Sequence, residues 1–240
     1  MDKRILTGLA ALTLLDISAS TAAAQDWGGA YIGIHGGYRW SDGQLTTGAY
    51  TLNNPSDVDP VIPPRSESYD LGSGIGGLQG GYNFQIPGGW VFGFEGDMSW
   101  GNGDDSKSRT ILIDGVAYSL ASRAELNWQA TLRARLGFTS GNWLFYGTAG
   151  VAFADFDWTE TFSRPGAFSI GASKSETLSG WTIGAGAEYA MTRNWIIRAE
   201  YLFEDFGTVH VPLAAALPAG TSGNIDVDAH KLRLGISYKF

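Results

Sequence analysis

The last eleven residues of the chain, HKLRLGISYKF, constrain its fold more than any other stretch. One alternate set reads His230, Leu232, Leu234, Ile236, Tyr238, Phe240; the interleaved set reads Lys231, Arg233, Gly235, Ser237, Lys239. Alternation this strict describes a β-strand with one apolar and one polar face. The strand ends on an aromatic, with another aromatic two positions earlier. Such a strand suits a closed barrel, in which the last strand pairs with the first and no sheet edge remains. A barrel of the smallest common size needs seven more strands like it.

The chain supplies them. Ala30–Trp40 sets Ile32, Ile34, Tyr38 and Trp40 against Tyr31, Gly33, His35 and Arg39. Gly74–Ile86 sets Leu78, Tyr82, Phe84 and Ile86 against Gln79, Asn83 and Gln85. Trp90–Trp100 sets Trp90, Phe92, Phe94, Met98 and Trp100 against Glu95, Asp97 and Ser99. Ser122–Phe138 sets Leu126, Trp128, Ala130, Leu132, Ala134, Leu136 and Phe138 against Glu125, Asn127, Gln129, Thr131, Arg133 and Arg135. Trp143–Asp155 is apolar on both faces, and we place Phe145, Ala149, Val151 and Phe153 outward. Leu178–Met191 turns Trp181, Ile183, Ala185, Ala187 and Tyr189 outward, with Glu188 on the other face. Trp195–Asp205 sets Trp195, Ile197, Ala199, Tyr201 and Phe203 against Arg198, Glu200 and Glu204.

The connections sort by length. Pro87-Gly88-Gly89, Thr139–Asn142 and Thr192-Arg193-Asn194 are tight turns. Ser41–Ser73, Gly101–Ala121, Phe156–Thr177 and Phe206–Asp228 read as long polar loops. Long and short links alternate along the chain, which is the order of an up-and-down barrel with short turns at one end and long loops at the other.

A β-sandwich or a soluble barrel also alternates, so the faces must decide. The assigned apolar faces carry no Asp, Glu, Lys or Arg, whereas the opposite faces carry nearly all the strand charges. The aromatics gather at strand ends as a girdle: Trp40, Trp90, Trp100, Trp128, Trp143, Trp181, Trp195 and Tyr238. Trp90 and Trp100 lie roughly 33 Å apart along a strand. At a tilt of about 40° that projects to about 25 Å, the height of a barrel's lipid-facing band. The predicted fold is an all-β, eight-stranded antiparallel up-and-down transmembrane barrel. No window supplies the roughly 18 consecutive apolar residues of a spanning helix, and barrel strands need none.

Lys3 and Arg4, the apolar run Ile5–Leu15 and Ala22-Ala23-Ala24 read as a secretory signal peptide over 1–24, leaving 25–240 as the barrel domain. With no cysteine, disulfides and thiolate metal sites are excluded, and a net charge of −8 argues against nucleic acid as a partner.

The segments GGAYIGIHGGY, GGYNFQIPGGWVFGFEGDMSW, WLFYGTAGVAFADF, WIIRAEYLFEDFG and LRLGISYKF resemble the outer-membrane immunogenic or porin-opacity-type proteins of alphaproteobacteria. Their transmembrane part is similar to the OmpA-type eight-stranded barrel. The resemblance implies a place in the cell outer membrane, contact with its lipid and lipopolysaccharide, and recognition of Tyr238 and Phe240 by the barrel-insertion machinery. It also implies a non-enzymatic structural and surface-presenting role, with an extracellular partner reached through the long loops. Because the sequence stops at Phe240, the peptidoglycan-binding domain of some OmpA-type proteins is expected to be missing. A small-solute pore is the alternative, and a lipid-modifying outer-membrane enzyme a distant third.

Catalytic, cofactor and metal sites find little support. His230 faces outward near Asp228, but the nearest serine on its strand, Ser237, is too far to serve as a nucleophile. His35 faces inward among glycines, and His210 falls in a loop. Asp104-Asp105 and Glu204-Asp205 are sequence neighbours, and neighbours on a strand point to opposite faces. The acidic first loop has no recognisable ligand spacing. The informative set is the inward charges: Arg39, Glu95, Asp97, Glu125, Arg133, Arg135, Glu188, Arg198, Glu200, Lys231 and Arg233. Eight strands enclose a space that side chains can fill, and unpaired buried charge is costly, so these groups are expected to pair and plug the lumen.

Overall fold

The computed structural model describes residues 25–51, 61–113, 115–213 and 222–240. The segment read as a signal peptide lies outside them, as do Asp57 and Asp59 of the first long segment and Gly220 of the last. Eight long strands form the wall: β1 (Gly29–Thr47), β5 (Ser73–Ile86), β6 (Trp90–Ile113), β7 (Val116–Ser140), β8 (Trp143–Arg164), β9 (Phe168–Ala190), β10 (Trp195–Pro212) and β11 (Ser222–Lys239). Each pairs antiparallel with its neighbours, and β11 returns to β1, where Ile34 faces Ile236 and Tyr38 faces Leu232. The short strand β4 (Arg65–Asp70) continues β5 along β1. The Leu71 amide donates to the Ser41 carbonyl at 2.8 Å across the break between them. A small hairpin of β2 (Tyr50–Thr51) and β3 (Val61–Ile62) completes the described strands.

Among the described residues all four segments read as long loops are mostly strand, the first of them through the far part of β1 and through β4. β6–β7, β8–β9 and β10–β11 continue far beyond the aromatic girdle, so Gly101–Ala121 and Phe156–Thr177 form hairpins and Phe206–Asp228 largely extends its strands. These segments read as loops because their alternation changes sense. In β8, apolar Phe145, Val151 and Phe153 point outward below the girdle. Above it Asp155, Asp157 and Thr159 point outward, while Phe156, Trp158 and Phe162 are buried inside. Polar-out, apolar-in is the pattern of a water-facing sheet.

The wall also changes form at this level. The β9–β10 ladder ends at Trp181–Asp205 and the β5–β6 ladder at Gly76–Trp100. Beyond these points, among the described residues, the ring becomes two facing sheets: β6-β7-β8-β9, and β10-β11-β1-β4. Between them lies a dry core contributed by both, including Leu45, Tyr69, Leu126, Phe156, Trp158, Phe206 and Ile225. Tyr69 meets Trp158 edge-on across the gap, with ring centroids 5.5 Å apart.

Bulges mark the transition. Register shifts fall between Trp100 and Gly103, between Leu126 and Gln129, and between Asp205 and Thr208. Each adds a residue on one strand and re-aims the side chains beyond it. In β7 the bulge corrects three expectations. Asn127, expected inward, has a side chain that donates to the outward Asp157 at 3.0 Å. Leu126, expected on the outer face, is buried in the core between the sheets. Glu125, expected in the lumen, lies on the outer side and pairs with Arg123 at 2.7 Å.

Candidate functional site

The ten other inward charges all reach the lumen and are buried there. Strand pairing places Glu95 opposite Arg133 on β6–β7, Arg198 opposite Glu188 on β10–β9, and Glu200 opposite Arg233 on β10–β11. Because the strands curl around a narrow space, the long guanidinium arms also cross it. Arg133 meets Glu95 at 2.6 Å, Asp97 at 2.8 Å and Glu200 at 3.0 Å. Arg233 meets Asp97 at 2.8 Å and Glu200 at 2.6 Å. Arg198 holds Glu95 at 2.6 Å and Glu188 at 2.5 Å, and Arg135 holds Glu188 at 2.8 Å. Every carboxylate in this cluster serves at least two arginines, so no single pair carries it.

Tyrosine and lysine contacts extend the cluster. The Tyr31 hydroxyl donates to Glu95 at 2.6 Å and accepts from Arg135 at 2.8 Å. The Tyr146 hydroxyl donates to Glu200 at 2.9 Å, and its ring lies 4.0 Å from the Arg135 guanidinium carbon. Lys231 pairs with Glu204 at 2.7 Å one layer nearer the two-sheet end. Arg39 ends on neutral acceptors, the carbonyl of Leu126 at 2.9 Å and the Gln129 side chain at 3.3 Å. His35 sits between Gln79 and Ser99, within 3.1 and 2.9 Å, as a hydrogen-bonded interior residue. Sequence reasoning left Tyr31, Tyr146 and Glu204 out of the network, although their inward parity was visible for Tyr31 and Glu204. The buried pair Arg65–Glu160, between the sheets, was hidden by the loop reading.

Apolar layers close the network at both ends. At the two-sheet end stands the core of Leu45, Leu126, Phe156 and Trp158, with a second cluster of Tyr118, Leu120, Phe162 and Leu213 beyond it. At the short-turn end, Trp27 packs with Val91, Leu144, Tyr146, Ala190 and Ile196. Close-packed apolar side chains of this kind disfavour ions and a continuous water file.

Among the described residues, the histidine at the outer rim has no serine nucleophile beside it. His230 is bonded to the Tyr201 hydroxyl at 2.6 Å and packs at a tilt against Phe203, and Asp228 stands 3.8 Å from its other ring nitrogen. Ser237 faces the lumen and cannot reach it. Partial burial pushes the Asp228 carboxyl above its ordinary range, and the nearby Asp42 and Asp205 carboxylates add to this against the opposing pull of His230. Asp105 goes the other way: its slight burial is outweighed by hydrogen bonds from Lys107 and the Asp70 amide. Asp104 pairs with Arg123 at 3.1 Å, so the two acids part to different partners. Among the described residues no group of His, Asp or Glu is arranged to hold a metal ion.

The outside of the ring carries what the inside lacks. Trp40, Trp90, Trp100, Trp143, Trp181, Trp195 and Tyr238 are exposed there, while Trp128 is half-buried at the β7 bulge beside Trp100. Between them Leu78, Phe94, Leu132, Ile183 and Leu234 are exposed as well. A continuous apolar belt of this extent is stable only in hydrocarbon. A family model described as outer membrane protein beta-barrel domain matches residues 7–240. The chain is 34% identical to the 31 kDa outer-membrane immunogenic protein of Brucella melitensis, over 93% of this chain and 89% of that protein. It is 27% identical to the 25 kDa outer-membrane immunogenic protein of Brucella abortus, over 91% of this chain and 82% of that one. Among solved structures it is similar to Neisserial surface protein A, at 14% identity and a TM-score of 0.41, covering 88% and 97% of the two chains. With its fold, belt and relatives in agreement, the chain belongs to the outer membrane protein beta-barrel family and is an integral protein of the cell outer membrane.

Proposed function

We propose that the protein is a non-enzymatic structural barrel that presents a folded platform at the cell surface. The observation that supports this most directly is the two-sheet extension, water-facing outside and dry inside, set on a lumen filled by its own ion pairs. The sheets give the hairpin tips a rigid base from which to meet an extracellular partner. The belt meets membrane lipid, with lipopolysaccharide against its outer half. Tyr238 and Phe240, exposed and edge-on with ring centroids 5.4 Å apart, supply the mark read by the insertion machinery. On this reading Phe240→Ser lowers the amount of folded protein in the outer membrane and spares refolding in detergent. Normal insertion of that variant in cells would remove the assembly role.

The lumen separates this reading from a small-solute pore. Planar-bilayer recording of the refolded protein should show little or no steady conductance, with at most brief openings. A stable conductance comparable to a general porin would overturn the plugged-lumen reading and favour the pore. Unchanged lipid composition in overproducing cells is the matching expectation for a protein without lipid-modifying activity.

A further inference from the structure

The short-turn end of the lumen is closed by residues that belong to no strand. Gln25–Gly28 precede β1, and the chain folds back beneath the mouth so that Trp27 is fully buried against Val91, Leu144, Tyr146, Ala190 and Ile196. Few bonds hold it. The Trp27 amide donates to the Gln85 side chain at 2.7 Å, and Lys239 Nζ donates to the carbonyls of Asp26 at 2.5 Å and Gly28 at 3.1 Å. Gln25 reaches the Arg193 carbonyl at 3.3 Å.

Two features distinguish this seat from a wall. Gly29 has a φ of 114°, a conformation open to glycine, and comes directly after a second glycine, so the chain carries a natural pivot where the segment meets β1. The Trp27 indole nitrogen is buried with no hydrogen-bond partner. The closed position therefore leaves unmet a donor that water satisfies once the segment swings out. At the other end, core layers contributed by both sheets lie over the lumen.

We propose that Gln25–Gly28 is a hinged stopper, the one door of the charged lumen at its short-turn side, whose opening exposes the packed lumen residues just inside it to water and small reagents. The protein has no cysteine, so a single one reports access. Thr148 faces the lumen one layer inside Tyr146 and bonds only its own wall, its hydroxyl donating to the Ala134 carbonyl at 2.9 Å. In the refolded full barrel, Thr148→Cys should react slowly with a small cationic methanethiosulfonate reagent. Adding Trp27→Ala should raise that rate about tenfold or more by removing the layer that must open locally. Trp158→Ala, which loosens the opposite core, should leave it unchanged. Where Trp27→Ala does not refold, Lys239→Gln decides, because it releases the clamp and keeps the indole; it should also raise the rate. Equal rates with and without the stopper contacts would overturn the proposal. So would a Trp158→Ala acceleration as large as that of the stopper variants.

Discussion

At the scale of single residues, the lumen shows why shared partners matter more than the number of pairs. Removing Arg133 leaves Glu95 with Arg198 and Arg135, and leaves Asp97 and Glu200 with Arg233. Removing Lys231 takes away the one ion-pair partner that Glu204 has among the described residues, in a position with no solvent access. Breaking a buried pair from one side costs about 3–5 kcal/mol because the remaining charge is stranded. Lys231→Met should therefore destabilise the barrel by about that amount, and Arg133→Met by clearly less. The double change Lys231→Met with Glu204→Gln should recover much of the loss, as expected for groups in direct contact. Urea titration of the refolded variants measures all three; a larger loss for Arg133→Met than for Lys231→Met would refute the shared-network account. Alternation alone was enough to place these ten side chains inside. It said nothing of who pairs with whom, because that depends on how the strands curl: Arg135 and Glu188 sit on strands separated by β8, yet meet at 2.8 Å.

At the scale of elements, the informative event is a change of phase. Below the girdle a strand's apolar face looks outward to lipid, and above it the apolar face looks inward to the core between the sheets. The eight spanning stretches were legible because lipid demands an unbroken apolar face. The extensions were not, since their outer faces are as polar as loops and the Asn127–Trp128 bulge has no sequence mark of its own. Read without that bulge, Leu126 and Leu132 are equivalent lipid-facing leucines. In the structure Leu126 is buried in the core and Leu132 is 59% exposed on the belt. Leu126→Ala should then cost about 2–5 kcal/mol through lost burial and a cavity. Leu132→Ala, which leaves no cavity, should cost much less. Unfolding both in the same detergent tests the phase change, and equal losses would mean that β7 runs straight through the girdle.

At the scale of the whole molecule, the sorting of connections fixes how the barrel sits in its membrane. The turns at Gly88, Ser140 and Arg193 cluster at the end closed by Trp27, while the tips near Gly115 and Gly166 and the collar at Asp105 belong to the two-sheet end. The two ends are not equivalent to a bilayer. The two-sheet end presents a broad polar surface with its own core, and can stand in water far from lipid. The short-turn end stops within a residue or two of the girdle: Pro87 comes directly after Ile86, and Asn142 directly before Trp143. A strand inserted from the periplasm must carry one end of each hairpin across the membrane, and the end that remains behind needs no more than a tight turn. The two-sheet end is therefore expected outside the cell. Single cysteines at positions 105, 115 and 166 should react with a membrane-impermeant maleimide on intact cells. Those at 88, 140 and 193 should react only after lysis. The protein's lack of cysteine makes each signal unambiguous. Labelling at 140 in intact cells would invert the topology and move the stopper at Trp27 to the cell surface.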